Sequence, residues 1–363
     1  MLSIIVPTYR EADNIRPLVT RIRAALQHAG DYEIVLVDDN SADGTEAAVG
    51  ELQRDGVPVR IIVRKDERGL STAILRGFRE ARGDLLLCMD AYMSHPPEAI
   101  PGMLDALARE KADLVVGSRY VPGGSIEQGW GFYRWLNSQV ALWLARPLSS
   151  VRDSGAGFFL LPKRVFAQAR DLNPIGYKML LEISVKCHCH KIVELPIQFA
   201  DRKFGQSKLS FREQLLYLLH LKRLYDYRFG RASRLVQFGL IGASGVLVNL
   251  LALRSLQLTG LTYGPAEALA IWLAMTWNFW PNRWLTFDLF AHHPAWPQYL
   301  RFVLTCTAGA VVNWLVAVGL TQRISWFAVH PMLAAVAGIT AGTALNFIFC
   351  FRWVFQPPAV DQV

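Results

Sequence analysis

Glu33-Ile34-Val35-Leu36-Val37-Asp38-Asp39-Asn40-Ser41-Ala42-Asp43-Gly44-Thr45 runs from β-branched apolar residues straight into carboxylates and a turn. The apolar part predicts a short buried strand over Glu33–Asp38. Asp43-Gly44-Thr45 then turns the chain into a helix, with Asp and Thr as capping residues. The same sequence of events recurs along the first half. Leu2–Pro7, Val59–Val63, Leu85–Met89 and Leu114–Gly117 are further Ile/Val/Leu-rich runs. Between them lie helical patterns such as Ile15, Leu18, Val19, Ile22 and Leu26, spaced by three and four. Alternating strands and helices predict a mostly parallel sheet covered by helices on both faces. Ligands of such sheets bind beyond the carboxyl ends of the strands.

The polar clusters of this sequence fall at those ends. Pro7-Thr8-Tyr9-Arg10-Glu11 follows the first strand, and the Asp38–Thr45 string follows the second. Carboxylates placed there accept hydrogen bonds from a base or a ribose. Arg68-Gly69-Leu70-Ser71-Thr72-Ala73 opens a helix whose N-terminus suits an anion. Cys88-Met89-Asp90-Ala91-Tyr92-Met93-Ser94-His95-Pro96-Pro97-Glu98 follows the fourth strand. Cys187-His188-Cys189-His190 has the residue types of a metal site, but four consecutive ligands do not converge on one tetrahedral ion. The five cysteines form no disulfide framework. The net charge of +8 comes without a long basic tract. Many arginines gather at Arg223, Arg228, Arg231 and Arg234, which fits anionic lipid headgroups and not nucleic acid.

Beyond residue 234 the composition changes. Leu235–Leu253, Ala268–Phe287, Phe302–Leu320 and Pro331–Phe351 are apolar runs that each approach the roughly 20 residues needed to span a bilayer. They form a duplicated pair. Gln237-Phe238…Gly245-Val246…Asn249 is echoed by Arg301-Phe302…Gly309-Ala310…Asn313. Asn278-Phe279…Arg283-Trp284-Leu285-Thr286-Phe287 is echoed by Asn346-Phe347…Phe351-Arg352-Trp353-Val354-Phe355. This pattern resembles the GtrA-like four-helix transmembrane domain. Arg231, Arg234, Arg283, Arg301 and Arg352 flank one side, against Arg254 and Arg323 on the other. The positive-inside rule then puts both termini in the cytosol of an integral protein of the cytoplasmic membrane. Met1–Pro7 reads as a strand and not as a signal peptide, so the catalytic part is expected in the cytosol as well.

The first half also resembles a family. Ser118-Arg119-Tyr120-Val121-Pro122-Gly123-Gly124 with Trp130, Gly176-Tyr177…Glu182, Glu194-Leu195-Pro196-Ile197 and Arg202-Lys203-Phe204-Gly205-Gln206-Ser207-Lys208-Leu209 are similar to family-2 glycosyltransferases, in particular the polyprenyl-phosphate mannose synthases. The resemblance implies an α/β, Rossmann-like GT-A domain over 1–210, an interfacial linker helix over 211–234 and the four-helix transmembrane domain over 235–356. It also implies a nucleotide-sugar donor, GDP-mannose first and a UDP-hexose as the alternative, and a polyprenyl phosphate acceptor. Pro7, Tyr9, Glu11, Asp38 and Asp39 would hold the nucleoside. Asp90 would approach a Mg²⁺ or Mn²⁺ ion on the diphosphate, and Arg119 would contact the donor. Arg134 and Ser138, with Arg202, Ser207 and Lys208, would face the acceptor phosphate. Guanidinium and ammonium groups offset the repulsion of a phosphate brought up to a diphosphate. The acceptor is already ionised, so displacement needs no strong general base and inverts the anomeric carbon. Two amphipathic stretches, Trp130–Leu148 and Phe211–Phe229, suit a membrane interface. One departure is plain: the family's second carboxylate after strand four is here Tyr92, which weakens the expected metal site. That loss also leaves open a membrane scaffold whose transferase domain has decayed.

Overall fold

A computed structural model describes residues 1–126, 132–169, 171–173, 175–200, 211–288 and 294–355. The chain divides into two compact units, Met1–Arg228 and Phe229–Val363.

The first unit is built on a seven-stranded sheet. In chain order its strands are β1 (Leu2–Thr8), β2 (Tyr32–Asp38), β3 (Val59–Val63), β4 (Leu85–Cys88), β5 (Leu114–Ser118), β7 (Phe159–Pro162) and β8 (Ile192–Pro196). Two-residue strands β6 (Ser125–Ile126) and β9 (Gln198–Phe199) pair separately. The order across the sheet is β3-β2-β1-β4-β7-β5-β8, and β7 alone is antiparallel to its neighbours. Successive side chains of a strand point to opposite faces, so one strand serves two cores. Ile4, Val6, Ile34 and Leu36 pack with Ile15, Leu18, Ile22, Val49 and Met103 on one face. Ile5, Val35 and Val37 pack with Ala73, Ile74, Phe78, Met179 and Ile183 on the other. The predicted runs therefore alternate between two buried faces, as a helix-covered parallel sheet requires. Strand β7 had no separate strand prediction, because its Phe159-Leu160-Leu161-Pro162 follows directly on a glycine-rich loop.

Helices Phe132–Ala145 and Phe211–Phe229 pack on each other in a third, smaller core with Leu148, Leu181, Tyr217 and Leu221. Tyr217 and Tyr225 donate their hydroxyls to the carbonyls of Ala141 and Leu144 at 2.7 and 2.8 Å. The helical segment expected to continue from 211 to 234 breaks at Gly230 (φ +52°), and a new helix begins at Arg231.

In the second unit Arg231–Leu258 pairs with Tyr263–Pro281, and Ala295–Arg323 with Pro331–Phe349. The duplication is visible in the packing. A Cβ on Gly245 would lie 2.3 Å from Asn278 Oδ1, and one on Gly309 would lie 2.0 Å from Asn346 Oδ1. In each hairpin a glycine admits the partner helix's asparagine. Both second helices end in a π-helical turn, Asn282–Thr286 and Cys350–Val354. Phe287 and Phe355 stack at 4.6 Å and join the two hairpins. Among the described residues three segments are long and apolar enough to cross a membrane: Arg231–Leu258, Ala295–Arg323 and Val336–Val354. Tyr263–Pro281, which carries Glu267, Asn278 and three tryptophans in 19 residues, is not among them. Leu247, Leu251 and Leu304 project outward, as hydrocarbon and not water would favour.

Candidate active site

The carboxyl ends of β1, β2, β4 and β5 open on a cavity of about 850 Å³ within the first unit. Pro7, Tyr9, Glu11, Asp39, Asp90, Arg119 and Ser138 line it, so most of the residues picked from the sequence meet in one place. Arg134 lies on the helix Phe132–Ala145, but its side chain, like all of Arg202, Ser207 and Lys208, lies outside the described residues.

Asp38 is the exception among the nucleoside candidates. Its side chain is turned into the loop, only 2% exposed, and it does not line the cavity. Oδ1 accepts from Thr8 Oγ1 at 3.0 Å and from Ser41 Oγ, while Oδ2 accepts from Ser41 N–H at 2.8 Å. Asp38 thus fastens the end of β1 to the turn after β2 with three accepted hydrogen bonds. Asp43 acts similarly, accepting from Ala12 N–H at 3.1 Å and from Thr45 Oγ1 at 2.6 Å. Burial disfavours its charge, but these hydrogen bonds outweigh that and hold its carboxyl below the usual range.

Asp39, one residue on, reaches the cavity wall. Arg64 donates to its Oδ1 through Nε at 2.8 Å and through Nη2, and Gly69 N–H donates to Oδ2 at 2.8 Å. Gly69 takes φ +142°, a conformation that side chains resist, which turns its N–H toward Asp39. Arg64 also donates to Thr72 Oγ1 and to the Gly69 carbonyl, at 2.8 and 2.9 Å. Sequence reasoning missed Arg64; the available signal was its position just past the carboxyl end of β3. Tyr9 lies beneath two guanidiniums, with Arg10 and Arg68 at 5.3 and 5.4 Å from its ring centre.

Asp90 follows β4 and is 8% exposed. Its N–H donates to His95 Nδ1 at 3.1 Å, and the same ring nitrogen lies 2.9 Å from Asp90 Oδ2. Both carboxylate oxygens of Asp90 are buried without a hydrogen-bond donor. His95 is held by Phe158, stacked at 5.2 Å, and by the close approach of Gly157, where a Cβ would lie 3.2 Å from the ring. Tyr92 lines the cavity beside Asp90.

Arg119, past the end of β5, makes a two-pronged ion pair with the fully buried Asp153, Nε to Oδ2 and Nη2 to Oδ1 at 2.8 Å each. Burial works against its charge, but Asp153's hydrogen bonds and charge prevail and hold the guanidinium above its usual pKa. Glu194 of β8 accepts from the N–H groups of Arg152 and Asp153, at 2.9 and 3.1 Å, and fixes the loop that carries Asp153. Ser138 Oγ is 3.0 Å from Tyr120 OH. Lys178, which the sequence did not single out, also lines the cavity. Among the described residues no group of three or more His, Cys, Asp or Glu side chains forms a metal cluster, and the five cysteines are free thiols.

Residues 3–168 match the model of glycosyl transferase family 2, and residues 237–355 match the GtrA/DPMS transmembrane domain. A dolichol-phosphate mannosyltransferase of Pyrococcus furiosus is 38% identical over 96% of this chain and 97% of its own. One from Mycosarcoma maydis is 46% identical over 63% of this chain and 80% of its own. Among solved structures, mannosyl-3-phosphoglycerate synthase from Rubrobacter xylanophilus overlaps 64% of this chain and 75% of its own, at 20% identity and a TM-score of 0.47. A Rossmann-like GT-A domain on a mixed sheet, joined to a GtrA-like membrane domain, makes this chain an integral membrane protein that belongs to the dolichol-phosphate mannosyltransferase family of family-2 glycosyltransferases.

Proposed function

We propose that the protein transfers mannose from GDP-mannose to the phosphate of a polyprenyl lipid of the dolichyl type. The observation that carries this reading is the charge division of one cavity. Asp90 offers two buried oxygens without a donor, while Arg119 and the Ser138 hydroxyl offer groups that hold phosphate. The names of the relatives from Pyrococcus furiosus and Mycosarcoma maydis support it. Tyr9, Glu11 and Asp39 would hold the nucleoside. Arg119, locked by Asp153, is a fixed positive group that needs no reorganisation as charge moves to the leaving diphosphate. An oxygen of the ionised acceptor phosphate forms the new bond to the anomeric carbon as the bond to GDP breaks, on opposite faces, with inversion. No side chain has to remove a proton.

Mg²⁺ or Mn²⁺ fits this donor set in part. Orphaned buried carboxylate oxygens are what a hard cation relieves, and Asp90 supplies them; Tyr92 adds no second anion. Such an ion, when bound, would neutralise the donor's diphosphate and improve it as a leaving group.

The same reading covers topology. At one end of the second unit Arg231 and Arg234 lie over the Phe351 ring at 5.5 and 5.9 Å, Arg301 reaches the Trp353 carbonyl and Arg283 reaches Gln298. Arg254 and Arg323 lie toward the opposite helix ends. This asymmetry supports four crossings with both termini and the catalytic unit in the cytosol.

The test is transfer by purified protein from labelled GDP-mannose or UDP-glucose to polyprenyl phosphate. Mannosyl-lipid from GDP-mannose is expected. Product from UDP-glucose alone would overturn the donor assignment, and product from neither would overturn the activity.

A further inference from the structure

We infer that Lys178 is an additional acceptor-binding residue, its ammonium taking an oxyanion of the lipid's phosphate beside Arg119. The inference rests on the transfer reaction proposed above.

Lys178 lies at the start of the helix Met179–Lys186 and lines the same cavity as Arg119 and Ser138. Space for its head is left by Gly155, where a Cβ would come within 2.5 Å of Nζ. Among the described residues no carboxylate forms an ion pair with it. Asp153, the carboxylate that acts on its charge, already accepts from three Arg119 nitrogens, Nε and the backbone N–H on Oδ2 and Nη2 on Oδ1. Lys178 rests instead over two aromatic faces, Tyr177 at 5.3 Å and Tyr217 at 5.0 Å from the ring centres. Two cations thus share one carboxylate in a partly desolvated wall, and an excess positive charge there calls for an anion. Burial first, and then Arg119, push the ammonium down to about 8, while Asp153 pulls the other way. An arriving phosphate would relieve both costs.

The surroundings point to the acceptor and not the nucleoside. Tyr217, against which Lys178 lies, donates its hydroxyl to Ala141 at 2.7 Å, and Ala141 stands one helical turn from Ser138. Lys178 is therefore tied to the helix expected to hold the acceptor phosphate. Tyr9 and Asp39 belong to the ends of β1 and β2. A lysine acts on phosphate as a compact charge with three donors, which tolerates a headgroup arriving from a lipid surface.

The experiment compares wild type with Lys178→Met and Lys178→Arg in the full chain. Calorimetry measures farnesyl phosphate and GDP binding separately, and transfer assays give the KM for each substrate. Lys178→Met should weaken farnesyl phosphate binding about tenfold to a hundredfold, as losing a charged hydrogen bond does, and raise the acceptor KM while GDP affinity stays. Lys178→Arg should recover most of the loss. Unchanged farnesyl phosphate affinity would overturn the inference, and so would an equal loss of GDP affinity, which would assign Lys178 to the leaving diphosphate. Binding is read without turnover, so an inactive wild type would sink the proposed reaction and still leave Lys178 judged by its own result. If the methionine variant does not fold, pH decides. Besides Lys178, the groups facing this point are Arg119, Asp153, Tyr177, Tyr217, His220 and Glu213 beside Gly176. The wild-type ammonium is lost as pH rises through about 8. Wild-type affinity for farnesyl phosphate should then fall by pH 9 while that of Lys178→Arg holds; a parallel fall in both would overturn the inference.

Discussion

Asp38 and Asp39 are adjacent in sequence and do different work. Asp38 ends β2 and is consumed by Thr8 and Ser41, whereas Asp39 begins the loop and lines the cavity with Arg64 and Gly69 around it. Nothing in the string Val37-Asp38-Asp39-Asn40 separates them, because the difference depends on which partners the fold brings within 3 Å. Lys178 was illegible for the same reason, one basic residue among many until its neighbours are known, whereas Arg64 left the signal of its place just past β3. Tyr92 was legible, because its motif exposed the missing carboxylate. It lines the cavity next to Asp90 and within electrostatic range of Arg119. With Asp90 as the carboxylate proposed to hold the metal, Tyr92→Asp should lower the Mg²⁺ or Mn²⁺ concentration needed for half-maximal transfer. It should also tighten donor binding with metal present and change little in chelator. Metal titrations of both forms by transfer assay and calorimetry decide this. An unchanged metal requirement would show that position 92 is not a ligand position.

Elements show how far pattern alone reaches. The five predicted strands all form, because alternating apolar residues have two faces to bury and helices of matching period stand ready to cover them. Where a helix may approach the sheet is set by single glycines. Gly77 of Leu70–Glu80 faces β1, and a Cβ there would lie 2.5 Å from Ile5 Cγ2 and 3.1 Å from Val37 Cγ2, both in the core. Gly50 of Thr45–Arg54 has nothing within 4 Å of the same position. Alanine is the better helix former at either site by about 1 kcal/mol. Gly50→Ala should therefore raise the unfolding midpoint. Gly77→Ala should lower it, because overpacking of about 1–3 kcal/mol exceeds that gain. Thermal unfolding of the purified full chain reads both, and shifts of the same sign would contradict the packing argument. Gly245 against Asn278 and Gly309 against Asn346 repeat the device in the membrane hairpins. There the sequence had already displayed the duplication.

At the scale of the whole molecule, the membrane arrangement rests on charge asymmetry. Arg231, Arg234, Arg283, Arg301 and Arg352 mark the end proposed to be cytosolic. A cysteine appended to either terminus of an otherwise cysteine-free chain should escape an impermeant reagent applied from outside and react after permeabilisation. Reaction before permeabilisation would reverse the topology. The sequence by itself determined the two-part design, the α/β class of the first unit, the apolar class of the second, and seven of the residues that line the cavity. These follow from local quantities: side-chain period, run length, and polar clusters at strand ends. Tertiary structure alone decided the antiparallel insertion of β7 between β4 and β5, the withdrawal of Asp38 into a turn, and the pairing of Arg119 with Asp153. It also decided the placing of Lys178 over Tyr217. Each of these joins residues far apart in the chain, and their energies depend on distances of a few ångströms that no local pattern encodes. Period and composition say what must be buried; only the packed chain says beside what.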